Sequence, residues 1–285
     1  MPFPTNPAAG SEASRRDLQR LLAYDRVDLA RAALAIAREE YPDLEDAPTL
    51  KALDDLGARV RASLPPGATV ERKVGRLNAF LFHEEGFHGN RDDYYDPRNS
   101  FLNDVVERRA GIPITLSLVY LEVGRRLGLD VQPVGFPGHF LCKVLLDGGE
   151  LVVDSFARGQ LLGLDELKTR FKAAVGAGHA FDARALRPAQ PKEILSRMLE
   201  NLRQVYLQKK DLPRALSAVD RALLVMPDSI RALRERAELY EQLGGAGAAA
   251  GDLERVLQLE PAATDAGELQ ARARKLRAGS GGLLN

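Results

Sequence analysis

The chain has 285 residues, 45% of them hydrophobic and 28% charged, a balance that builds a buried core and argues against global disorder. Lys+Arg and Asp+Glu both number 40, so no bulk field draws nucleic acid or an anionic membrane. No run reaches the roughly 18 apolar residues of a membrane span, residues 1–16 lack a secretory apolar core, and the one cysteine, Cys142, excludes an internal disulfide or multi-cysteine metal site. These features predict a soluble cytoplasmic protein.

Residues 1–14, rich in Pro, Ala, Gly and Ser, are expected to form a flexible tail. Apolar residues from Leu18 to Ile36 recur at helical spacing and predict a helix from Ser14 to Glu40, ended by Tyr41-Pro42. Further helices are predicted over Leu50 to Leu64, Val70 to Phe82 and Phe101 to Arg109. The polar stretch His83 to Ser100 reads as a long ordered loop, and loops of that length are often functional. Pro113 suits the first turn of a buried helix that Gly128 ends.

The pattern then changes. Val131 to Phe136, His139 to Leu146 and Glu150 to Asp154 alternate as strands, punctuated by Pro-Gly and Asp-Gly-Gly turns. Helices packed on a small antiparallel sheet make an α+β domain over residues 15–187, completed by a helix over Leu164 to Ala174.

Residues 188–280 repeat with a period of 34. Tyr206 matches Tyr240, Pro227 matches Pro261, Leu199 matches Leu233, Ala215 matches Ala249, Val219 matches Leu253 and Ala222 matches Val256. The pattern resembles the tetratricopeptide repeat: about two helix pairs and a capping helix, an all-α segment. So few repeats are expected to dock on the first domain, since each needs neighbours to bury its faces. In this repeat family the first helix of each pair lines a concave groove. Here that face carries Arg197, Asn201, Gln204, Arg231, Arg234 and Glu238. The arginines could pair with acidic side chains or a C-terminal carboxylate, although the interspersed glutamates make the groove mixed in charge.

The candidate chemistry lies in the first domain. If Asp147-Gly148 or Gly148-Gly149 forms a two-residue turn, paired residue numbers sum to an odd total, and His139 and Asp154 share a face as diagonal neighbours. A three-residue turn puts them on opposite faces. On one face, Asp154 could orient the His139 ring as an acid orients a base in hydrolytic triads. A structural His–Asp pair is the plainer alternative. Cys142, three residues beyond His139 along a strand, points to the other face and is expected to be a small core residue.

Other signals are weaker. His83 and His88 are five apart with Gly86 between them, against the four of a zinc-protease helix. The Gly-Gly pairs lack the surroundings of a phosphate loop. Tyr94-Tyr95 packs against the neighbouring loop or stacks a ligand, and Arg108-Arg109 and Arg125-Arg126 are expected on solvated faces.

Four segments together resemble the SirB family of bacterial proteins: Tyr95-Asp96-Pro97-Arg98-Asn99-Ser100, the run from Arg109 to Leu118, Gly135-Phe136-Pro137-Gly138-His139-Phe140, and Asp154. The resemblance covers about residues 15–262 and implies a degenerate papain/transglutaminase-like domain followed by tetratricopeptide repeats. The wider superfamily uses a Cys–His–Asp triad with the cysteine at a buried helix start, where the dipole and a histidine lower the thiol pKa. The histidine matches His139 and the aspartate Asp154. The cysteine position falls on or next to Pro113, which carries no nucleophile.

Thr115 is the substitute hydroxyl nearest that position, although a hydroxyl within a helix usually bonds back to the backbone. The expectation is a vestigial His139–Asp154 dyad in a cleft with Asn99, Asn103 and Pro113, and a non-catalytic scaffold or regulatory protein that binds a protein or peptide. The alternative is a hydrolase or acyltransferase using the dyad with a hydroxyl or water. No metal, cofactor, direct nucleic-acid contact or membrane contact is expected.

Overall fold

The computed structural model describes residues 11–280. The chain divides into two compact units, one up to Ile194 and one from Leu195 onward. Most of the expected tail lies outside the described residues, but a helix already begins at Ser11.

The single helix predicted over Ser14–Glu40 is two, α1 (Ser11–Leu22) and α2 (Leu29–Ala37). Asp28 makes the break: its carboxylate accepts the N–H of Arg31 at 3.0 Å and starts a new helix. Every residue of α2 except Arg31 is buried, as an almost wholly apolar helix must be. Ser14 Oγ donates to the Ala35 carbonyl at 2.8 Å and holds the two helices together. Next come α3 (Asp46–Ala62) and α4 (Val70–Asn78). The α4 path continues as one wide π turn, Ala79–Glu84, that buries Phe80, Leu81 and Phe82.

The loop that follows is ordered. It contains β1 (His88–Gly89), paired in parallel with β2 (Ala110–Gly111), and a 3-10 turn over Pro97–Ser100. α5 (Leu102–Arg108) lies between the 3-10 turn and β2, and the buried α6 (Pro113–Arg126) follows β2.

Four antiparallel strands form the sheet in chain order: β3 (Val131–Val134), β4 (Leu141–Leu146), β5 (Gly149–Asp154) and β6 (Gln160–Leu162). The predicted strand starting at His139 begins two residues later, because Phe136 to His139 form a turn closed by His139 N–H on the Phe136 carbonyl at 3.0 Å. The three-residue β6 has no alternating pattern long enough to predict. One sheet face contributes Val134, Leu141, Val152 and Leu162 to a core with Leu167 of α7 (Leu164–Val175). The opposite face packs on α6: the Cys142 thiol lies 3.4 Å from the Ser117 carbonyl.

The second unit continues α8 (Pro191–Gln208) through α9 (Leu212–Val225), α10 (Ile230–Gln242), α11 (Ala246–Leu259) and α12 (Ala266–Ser280). Five of the six pairs at the 34-residue period behave as a repeat requires. Leu199, Leu233, Ala215, Ala249, Val219, Leu253, Ala222 and Val256 are all buried, while Pro227 and Pro261 follow the ends of α9 and α11. Arg236 of α10 clamps Asp252 of α11 at 2.6 and 2.8 Å and reaches Asp220 of α9 at 2.9 Å.

Candidate functional site

Register decides whether the dyad forms. Leu146 pairs with Gly149 and Cys142 with Val153, so Asp147 and Gly148 make the two-residue turn that gives an odd sum. His139 Nε2 lies 2.9 Å from Asp154 Oδ1. The carboxylate is nearly sealed, at 2% exposure, while the imidazole is 20% exposed.

Asp154 does more than orient the ring. Its Oδ1 also accepts the backbone N–H groups of Phe156 at 3.0 Å and Ala157 at 3.1 Å. Oδ2 accepts Arg170 Nη1 at 2.6 Å, and the Asp154 carbonyl accepts the Gly159 N–H at 2.9 Å. Burial by itself would raise this carboxyl's pKa. The bonds from His139, Arg170 and the Ala157 N–H outweigh burial and hold it below the ordinary carboxylate range. Asp154 is therefore an ionised hub that folds the 154–159 turn as well as holding His139.

Arg170 is a site residue that sequence reasoning missed. It projects from α7, where it also bonds Glu166 at 2.9 Å. The i,i+4 spacing to Glu166 suggests an ordinary surface pair; nothing local indicates that α7 brings the guanidinium onto Asp154. Phe156 was missed as well: its ring meets His139 edge-on at 6.1 Å and Tyr94 at 6.0 Å. Tyr94 also meets Tyr95 edge-on at 5.3 Å, so it packs both on its own loop and on the neighbouring 154–159 turn.

The nucleophile side is different. Pro113 is the first residue of α6 and is buried. Cys142 is wholly buried on the α6 face of the sheet, whereas Asp154 reaches the α7 face, and burial pushes the thiol pKa up to about 12. Thr115 is buried too. Its hydroxyl donates to the Asn99 carbonyl at 2.7 Å and accepts the Ile112 N–H at 3.2 Å, so it caps α6. That places the candidate nucleophile in a structural role, with its proton committed away from His139.

Asn99 is corrected from cleft to scaffold. It is fully buried, donates to the Asp93 carbonyl at 2.7 Å and accepts from Asn90 at 3.0 Å, which closes the loop. Asn103 is half-buried, with its Oδ1 buried and unpartnered among the described residues. His83 lies in the π turn and His88 Nδ1 lies 2.9 Å from the Gly86 carbonyl. Arg108 and Arg109 bond Asp96 and Glu85 at 3.0 and 3.2 Å, so ion pairing holds what was expected to be a solvated face.

In the second unit the expected cationic clamp is internally neutralised. Arg231 pairs with Glu200 and, at 2.9 Å, with Glu235. Arg234 bonds Asp265 at 2.9 Å. Gln204 donates to Glu200 at 2.8 Å. Arg197 and Asn201 are half-buried, and Glu238 is exposed. A ligand carboxylate would therefore have to displace the chain's own acids from Arg231 and Arg234.

Helices packed on a four-stranded antiparallel sheet, with a His–Asp pair at one end of it, define a transglutaminase-like domain. The chain belongs to the transglutaminase-like superfamily, whose family model matches residues 47–200, more than half of its length. A tetratricopeptide-repeat model matches residues 202–274. The chain is 42% identical over 241 residues to a UPF0162 protein of Xylella fastidiosa, covering 83% of this chain and 85% of that one. It is 35% identical over 252 residues to a UPF0162 protein of Pseudomonas aeruginosa, covering 86% and 89%. It is also 34% identical over 182 residues to F-box only protein 21 of Mus musculus, covering 59% of this chain and 28% of that protein. No helix among the described residues is long and apolar enough to cross a membrane.

Proposed function

We propose that the protein is a non-catalytic protein- or peptide-binding scaffold or regulatory protein of the SirB type, working in the cytoplasm. Its transglutaminase-like domain keeps the shape and the His139–Asp154 dyad of an acyl-transfer enzyme without the attacking thiol. One observation carries this reading: the sole thiol, Cys142, is sealed against the Ser117 carbonyl on the other face of the sheet, while the helix start to which the resemblance assigns the superfamily's cysteine, on or next to Pro113, begins with that proline. A thiol held up near 12 is a poor nucleophile at neutral pH. The tetratricopeptide helices support the binding half of the reading, since helix pairs of this kind present extended surfaces to peptides.

The test is quantitative selection from a peptide library on three purified proteins: the intact chain, His139→Ala, and a triple variant with Arg197, Arg231 and Arg234 changed to Ala. Each is checked for cooperative unfolding first. The proposal expects the intact chain to enrich specific sequences and one folded variant to lose them. Equal enrichment by all three would remove both surfaces from the account.

A second reading, a hydrolase or acyltransferase that activates water or a hydroxyl, has the 2.9 Å His139–Asp154 contact in its favour. Against it stands Arg170, which already holds Asp154 and competes with any charge on His139.

A further inference from the structure

A pocket of about 290 Å³ lies beside the turn that Asp154 folds, lined by His88, Gly89, Arg91, Phe156, Ala157 and Arg158. Two exposed guanidinium groups, those of Arg91 and Arg158, border it. Arg76, Arg98, Arg126 and Arg170 each hold a carboxylate. The larger pocket, about 540 Å³ beside α3, is lined by Arg59 and Arg109, and both of these hold Glu85. In the smaller pocket neither Arg91 nor Arg158 has a carboxylate within ion-pair distance among the described residues. Arg91 instead lies over the Phe156 ring, 5.6 Å from its centroid. The next residues, Asp92 and Asp93, are exposed and pair with neither guanidinium.

The backbone fixes where Arg158 leaves the chain. Arg158 takes a left-handed conformation, φ 55°, which a side-chain-bearing residue adopts only when its surroundings impose it. The Asp154 turn imposes it through the bonds to the N–H groups of Phe156, Ala157 and Gly159. On the opposite wall, a Cβ at Gly89 would come within 2.5 Å of the Phe156 ring, so only glycine lets that ring seat against β1. His88 uses Nδ1 against the Gly86 carbonyl and leaves Nε2 as its free ring nitrogen.

We propose that this pocket binds a phosphoryl group, at a site that adjoins the His139–Asp154 dyad through Phe156 but does not require the dyad to react. A carboxylate would balance one of the two guanidinium charges. A phosphomonoester, at about −1.5 to −2 near neutral pH, balances both and has acceptor oxygens for the two guanidinium forks. The phosphoryl group belongs either to a modified residue of a protein segment or to a small phosphate ester.

The test is titration of the full-length protein at constant ionic strength with inorganic phosphate, a phosphoserine peptide, O-phosphoethanolamine and acetate, followed by calorimetry and chemical-shift mapping. Arg158→Gly is the informative variant. Glycine accepts the left-handed backbone, so Tm is expected to hold or rise while phosphate affinity falls about tenfold or more. Arg91→Ala is expected to weaken binding similarly, and the double variant to abolish it. Tighter binding of the peptide than of phosphoethanolamine assigns the group to a protein segment; equal or weaker binding of the peptide assigns it to small esters. Non-saturable phosphate binding, acetate binding as tight as phosphate, or phosphate affinity unchanged in folded Arg158→Gly and Arg91→Ala would each overturn the proposal.

Discussion

The Asp154 carboxylate accepts from four groups, and only one of them is the His139 ring. Removing the two partners should therefore have unequal consequences. Asp154→Ala leaves Arg170 Nη1 and two backbone N–H groups without their acceptor, although Arg170 keeps Glu166, and should cost about 2–3 kcal/mol of stability. His139→Ala, at a part-exposed site, should cost about 1 kcal/mol or less. Urea unfolding of the two variants checks the order, and a larger loss for His139→Ala would contradict it. The depressed pKa of Asp154 also sets a pH dependence. Its contribution is complete above the ordinary Asp value of about 3.9 and is lost as pH falls through the lower folded value. The intact protein should thus lose stability below about pH 4 more steeply than Asp154→Asn. Cys142 gives a simpler readout: a thiol reagent at pH 8 should label it only as fast as the protein opens, and rapid labelling of the native state would contradict its buried placement.

At the scale of elements, α6 starts where Pro113, the Thr115 hydroxyl and the Asn99 carbonyl meet. Thr115→Val keeps the shape and removes the cap, and should cost about 1–2 kcal/mol with no effect specific to His139. In the repeat unit Arg236 joins three helices through Asp220 and Asp252, so Arg236→Ala leaves a buried carboxylate unpaired and should cost about 3 kcal/mol, measured as a fall in Tm. What could be read at this scale depended on how local the cause was. The His139–Asp154 contact was legible as one of two outcomes, because a two-residue turn puts the pair on one face and a three-residue turn does not; the Leu146–Gly149 pairing gives the first. The 34-residue period was legible because the same buried positions recur. The break between α1 and α2 was not, because Leu18, Leu21, Leu22 and Leu29 keep helical spacing across it and one capping carboxylate decides the matter. Arg170 and the Asn99 scaffold were not legible either, since both depend on which segments the fold brings together.

Over the whole molecule, an enzyme-like unit and a repeat unit occur in one neutral chain; the family matches cover residues 47–200 and 202–274, while the compact units meet at Ile194 and Leu195. The central claim is that the first unit binds without reacting. The most direct measurement is mass spectrometry of a peptide library incubated with the intact chain and with folded His139→Ala. The account predicts no cleaved or acyl-transferred product above the protein-free control and no covalent mass on the protein. A product that forms with the intact chain and disappears with His139→Ala would contradict it.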